Sequence, residues 1–184
     1  MSTVDILVVA DPKAFPRNSC TVTEPAGVSL KTWKDNVMMI AENEFVVENQ
    51  GTWALKVKAT NGDMIRWWDT PVVQESEFDM IIVAFQKADE KQWNEYLTDP
   101  ESDTKTTAFA NIKDGFGKNC IKYQSSSFPQ NFTQATVLDS ADISSHGVKI
   151  TYNFVLAKLN VGRIDEVVVI GYYKIDPVIV LYPK

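Results

Sequence analysis

Arg66-Trp67-Trp68-Asp69 is the densest run of side chains suited to recognition chemistry. Neighbours on a strand point to opposite faces, so one indole enters a core and the other leaves it. Ile65 and Trp67 share the parity that suits a core, which turns Arg66 and Trp68 outward. An indole beside a guanidinium could stack on a sugar ring or on a partner protein; cover by a loop is the plain alternative. Tyr172-Tyr173 repeats this logic near the C-terminus, one ring packing and the other open, with Asp176-Pro177 following. The proline ends a strand, and Asp176 is a candidate ligand for a metal or a sugar hydroxyl. A glycan needs a stacking aromatic and a fork of polar groups, to which a metal can add hydroxyl coordination. Arg66, Trp68, Asp69, Tyr173 and Asp176 are therefore the candidate ligand-binding residues.

Catalytic signatures are missing. The single histidine, His146, sits in Ser144-Ser145-His146-Gly147 and reads as a solvated turn residue. No G-x-S-x-G elbow, P-loop or G-x-G-x-x-G fingerprint occurs. Asp114-Gly115-Phe116-Gly117-Lys118 lacks the strand-to-helix context of a phosphate cradle and reads as loop. Asp99, Glu101 and Asp103 resemble the start of a calcium loop. The glycine required at the sixth place is missing, however, and Ala110 stands at the twelfth. A solvated acidic loop is the reading there, and calcium stays the one cofactor with any support. Paired carboxylates for glycoside hydrolysis could be drawn from many Asp and Glu residues, but no pair is singled out. Asn131-Phe132-Thr133 matches the N-glycosylation pattern, which matters only in a secretory context.

Composition narrows the partners. The chain has 184 residues with 18 Lys+Arg against 24 Asp+Glu, a net charge of -6 and a pI near 4.8. With no basic run, nucleic acid and anionic membrane are poor partners. No stretch is long and apolar enough to span a bilayer as a helix. The opening Val4-Asp5-Ile6-Leu7-Val8-Val9-Ala10 lacks a basic lead and reads as a strand, so a secretory signal is not expected. Cys20 and Cys120 form no disulfide framework; free thiols fit a reducing compartment, and a single bridge is the other possibility.

Strands must position these groups. Apolar or alternating runs over 4–10, 37–41, 52–59, 64–69, 79–86, 122–126, 132–138, 148–159, 166–175 and 178–182 predict short strands. Helix rivals strand at Val37–Ala41, where Met38 and Met39 are good helix formers. Asn61-Gly62 predicts a hairpin between the strands on either side. Residues 11–36 read as a long loop holding at most a short strand, and 101–119 as a polar loop. One helix is expected over 88–97, with Asp89 as its cap and Trp93, Tyr96 and Leu97 on one face. The sum is an all-β fold, a two-sheet β-sandwich with one short helix in a single domain over 1–184.

Several of these segments carry a resemblance. Val4 to Val9, Asn61-Gly62-Asp63-Met64-Ile65-Arg66-Trp67 and the closing Gly171-Tyr172-Tyr173-Lys174-Ile175-Asp176-Pro177 resemble the bacterial inclusion body protein family of the PixA/AidA type. Gln124-Ser-Ser-Ser-Phe and Val148-Lys-Ile-Thr-Tyr-Asn-Phe resemble family strands between them. A departure lies at Ile175, where the family usually carries another aromatic. The resemblance implies a jelly-roll-like sandwich and a cytoplasmic protein that accumulates, self-associates as a homo-oligomer and forms intracellular inclusions. It implies sugar or divalent-metal binding for some members, and no catalytic residues. Two functions are thus expected: a non-enzymatic accumulation protein, or a glycan-binding module. A hydrolase on the same scaffold has no named residue behind it.

Overall fold

The computed structural model describes residues 1–71, 77–114, 122–163 and 166–183. Twelve strands and two α-helices follow along the chain. They are β1 (Thr3–Ala10), β2 (Ala26–Gly27), α1 (Leu30–Asn36), β3 (Val37–Ala41), β4 (Val46–Glu48), β5 (Lys56–Lys58), β6 (Met64–Pro71), β7 (Phe78–Lys87), α2 (Glu90–Tyr96), β8 (Glu101–Asp114), β9 (Lys122–Thr136), β10 (Val148–Arg163), β11 (Glu166–Ile175) and β12 (Val178–Tyr182). The first sheet runs β3-β1-β6-β9-β8; the second holds β2, β11, β10, β12, β5 and β4, with β7 also on β10. The fold is an all-β, two-sheet sandwich.

Alternation places the core. Val4, Ile6, Ile65 and Trp67 on β1 and β6 are fully buried, as are Ile150, Tyr152 and Phe154 on β10. Between the sheets the rings of Trp67, Phe85, Trp93, Tyr152 and Phe154 pack together. Phe85 stacks on Tyr152 at 5.0 Å and 10°, and Trp67 lies 5.0 Å from Phe85. Trp67 Nε1 donates to the Tyr152 hydroxyl at 3.1 Å, which in turn donates to Met39 Sδ. Each buried polar tip therefore has a partner, as a dry core demands. Full burial pushes the Tyr152 hydroxyl far above the ordinary phenol range.

Four local expectations are corrected. The stretch 11–36 contains a second helix, α1, because Ser29 caps it by accepting from the Thr32 N–H at 3.2 Å and Trp33 anchors it in the core. The expected helix is present as α2, with Asp89 accepting from the Gln92 N–H. The polar segment from Glu101 is strand β8 and not a loop: it pairs with β9 from Glu101↔Gln134 to Asp114↔Lys122. Backbone pairing with β9 makes it a strand, although its exposed residues 101–106 carry no apolar alternation. The strands expected at 122–126 and 132–138 are one, β9, ending at Thr136. Asn61-Gly62 does turn the chain, with Gly62 at φ +82, where a side chain would strain. But it joins two sheets instead of making a hairpin: β5 pairs with β12 and β4, while β6 lies parallel to β1. At Val37–Ala41 strand prevails over helix. The glycines of 115–118 and Cys120 lie outside the described residues, and Cys20 is half-buried.

β11 and β12 form one interrupted strand against β10. The pairing Phe154↔Ile175 continues in the same register as Thr151↔Val178. Pro177, which has no N–H to give, falls in the gap, where its carbonyl accepts from the Tyr152 N–H.

Candidate functional site

β6 sorts the candidates by parity. Ile65, Trp67 and Asp69 share the inner face, and Arg66 and Trp68 the outer one.

On the outer face, Asp5 of β1 sits directly across from Arg66. Its carboxylate accepts from Arg66 Nε and Nη2, both at 2.7 Å, and from Trp68 Nε1 at 2.7 Å. Phe132, opposite Trp68 on β9, closes over the indole at a ring distance of 4.6 Å. Arg66 lies over both rings, at 5.3 and 5.4 Å. Only 9% of Trp68 stays exposed. The fork and the indole N–H that a ligand would need are engaged by Asp5. Asp5→Ala strands both donors, and chemical denaturation is expected to show a loss of about 2 kcal/mol. An unchanged midpoint would remove Asp5 as the organiser of this face.

Tyr173 belongs to the second sheet and to the core. It is 2% exposed, its ring packs edge-on to Phe15 at 5.1 Å, and its hydroxyl donates to the Pro16 carbonyl. Burial pushes that hydroxyl upward in pKa. The ring folds over Gly171, where a methyl group would stand 2.6 Å from the Tyr173 oxygen, so the glycine of Gly171-Tyr172-Tyr173 makes room for the second tyrosine. Tyr172 is half-buried, and its N–H donates to Asn18 Oδ1. Asp176 is exposed at the β11–β12 break, where Asn153 Nδ2 donates to it at 2.5 Å and Asn153 Oδ1 accepts from Lys174. The five candidates are thus divided: Arg66 and Trp68 together, Asp69 on the opposite face, Tyr173 and Asp176 on the other sheet.

Asp69 opens into a cleft of about 340 Å³ at the mouth of the sandwich, between the inner face of β6, β9 and β8 and the strand β7. Register builds its polar wall. Trp67 faces Thr133, Thr133 faces Ser102, and Asn131 faces Thr104; Asp69, two residues beyond Trp67, extends the Asn131 row. Thr104 Oγ1 donates to Asn131 Oδ1 at 2.8 Å, and the Ser102 and Thr133 hydroxyls are 3.4 Å apart. Opposite stand Ile81, Ile82 and Val83. Val83 is an extra residue in the pairing with β10, between Ile82↔Leu156 and Ala84↔Val155, which bulges β7 beside the cleft. The backbone N–H groups of Asp69 itself and of Ile82 favour the ionised Asp69 carboxylate.

Burial, and then repulsion from Asp79, nevertheless raise the Asp69 carboxyl to about 6. Asp79 is itself pushed upward by burial. No Lys or Arg is among the described lining residues. Sequence reasoning missed Ser102, Thr104, Asn131 and Thr133 because their shared face shows only once β8 is a strand in register with β9. The signal was the alternation Ser102-Asp103-Thr104 and Asn131-Phe132-Thr133.

Among the described residues no three His, Cys, Asp or Glu side chains converge as a metal site requires. Of the three residues with calcium-loop spacing, Glu101 and Asp103 are exposed on β8, and Asp99 accepts from Lys87. No described helix is long and apolar enough to cross a membrane.

The architecture defines the class: an all-β two-sheet sandwich with a polar cleft at one mouth. The chain belongs to the PixA inclusion body protein family, whose model matches residues 2–181. It is similar in fold to the crystal structure of an inclusion body protein from Burkholderia cenocepacia J2315, at a TM-score of 0.67 and 14% identity. That match covers 98% of this chain and 95% of the other. No curated protein matches the chain.

Proposed function

We propose that this protein is a non-enzymatic accumulation protein whose copies self-associate into inclusions inside the cell. The observation that carries the reading is the edge of β11. Val167, Val168 and Val169 are consecutive and 62%, 41% and 43% exposed. On one side β11 pairs with β10; on the other, β2 reaches Tyr173 and Lys174, Asn18 bonds Ile170 and Tyr172, and no strand among the described residues pairs on that side with Val167–Val169. An apolar strand with an open edge is a template for a further strand, and a second copy of the same edge fits it antiparallel about a two-fold axis. One such contact closes a dimer, so growth needs a second patch. The outer edge of β8 at the far end of the first sheet is the candidate. The family name supports the same reading.

The test is Val168→Lys, which sets a charge into the edge pairing. Wild-type protein is expected to scatter light and to assemble as pH falls toward 4.8, because the self-repulsion of a net charge of -6 fades. The variant is expected to keep its circular dichroism and stay dispersed. Equal assembly by both proteins removes this edge from the reading. Assembly indifferent to pH removes the electrostatic part.

A further inference from the structure

We infer that the cleft between β7 and the β6-β9-β8 face binds a small neutral polyol of sugar size, with Asp69 and Asn131 holding its hydroxyls. The cleft lies at the small end of ligand sites. Its two walls differ in kind. One carries an acceptor in Asp69, an amide in Asn131 whose Oδ1 is engaged by Thr104 so that Nδ2 is the donor end, and the hydroxyl pair of Ser102 and Thr133. The other is the aliphatic surface of Ile81, Ile82 and Val83, with Trp67 at the floor. A polyol ring has the same division, hydroxyls that both donate and accept around its rim and C–H groups on its faces.

Other ligand classes fit less well. An anion would meet the Asp69 carboxylate and no described lining cation. A metal ion would find no converging ligand set among the described residues, and an organic cation would face the Asn131 donor and an apolar wall. The site is distinct from the Arg66–Trp68 face, whose donors Asp5 engages.

Nitrogen–proton correlation spectra of the full chain, titrated with glucose, galactose, mannose and glycerol, test the assignment. Spermidine and calcium chloride serve as cation probes. At least one neutral polyol is expected to shift the Asn131 side-chain amide and the Trp67 indole N–H saturably. Asp69→Asn and Asn131→Ala are each expected to weaken that binding about tenfold or more. The expected gain in stability of Asp69→Asn, argued below, separates lost binding from lost folding. Signals unmoved by every polyol, signals moved only by spermidine or calcium, or variants that bind like wild type would each overturn the inference.

Discussion

Trp67→Ala is expected to lower the unfolding free energy by about 4 kcal/mol. The indole is fully buried and touches Phe85, Trp93 and Tyr152, so its removal leaves a cavity where the two sheets meet. It also withdraws the donor to the Tyr152 hydroxyl. Domains of this size are stable by roughly 5–15 kcal/mol, so the loss is a large share of the whole. Trp67→Phe keeps most of the ring and loses the N–H, and is expected to cost only about 1–2 kcal/mol. Urea unfolding of the three proteins checks the order. A wild-type midpoint for the alanine variant would mean that the aromatic cluster does not hold the sheets together.

The second large effect concerns the cleft. Asp69 has a folded pKa of about 6 against 3.8 for the free side chain. A carboxyl raised in the folded state binds its proton more tightly there than in the unfolded chain. Its ionisation therefore works against the fold: the cost is absent below pH 3.8, grows as pH rises through the window to about 6, and is complete above it. At pH 7 that cost is on the order of 2–3 kcal/mol. Asp69→Asn cannot titrate and keeps the size and shape of the side chain. It should be more stable than wild type at pH 7 by that order, with the gap closing near pH 4. Urea midpoints at the two pH values read it directly, and a gap independent of pH would show that Asp69 is not strained by ionisation. A carboxylate that lowers stability and lines a cleft matches the trade by which binding sites are kept at the expense of the fold. It agrees with the polyol site without depending on it.

Much of the sandwich was legible in the chain. Alternation at Ile65 and Trp67 set which face of β6 is buried, because a strand has only two faces and a core accepts only one pattern. Asp89 marked the start of α2, since a cap is a contact three residues long. The closing Gly171-Tyr172-Tyr173 and Asp176-Pro177 pointed to the family before any coordinate did. What failed were readings that needed a partner distant in sequence. Asn61-Gly62 specifies a reversal, but whether β5 and β6 then pair depends on β1, β4 and β12 competing for them. The start of β8, residues 101–106, carries no apolar stripe, and pairing with β9 makes it strand. Tyr173 looked available because nothing local shows that Phe15 and Pro16 cover it. The sequence by itself determined that Trp68 and Asp69 face opposite ways. Only the tertiary structure closed Phe132 and Asp5 around the first and opened a cleft beside the second, because strand register, a long-range property, selects the neighbours of each side chain.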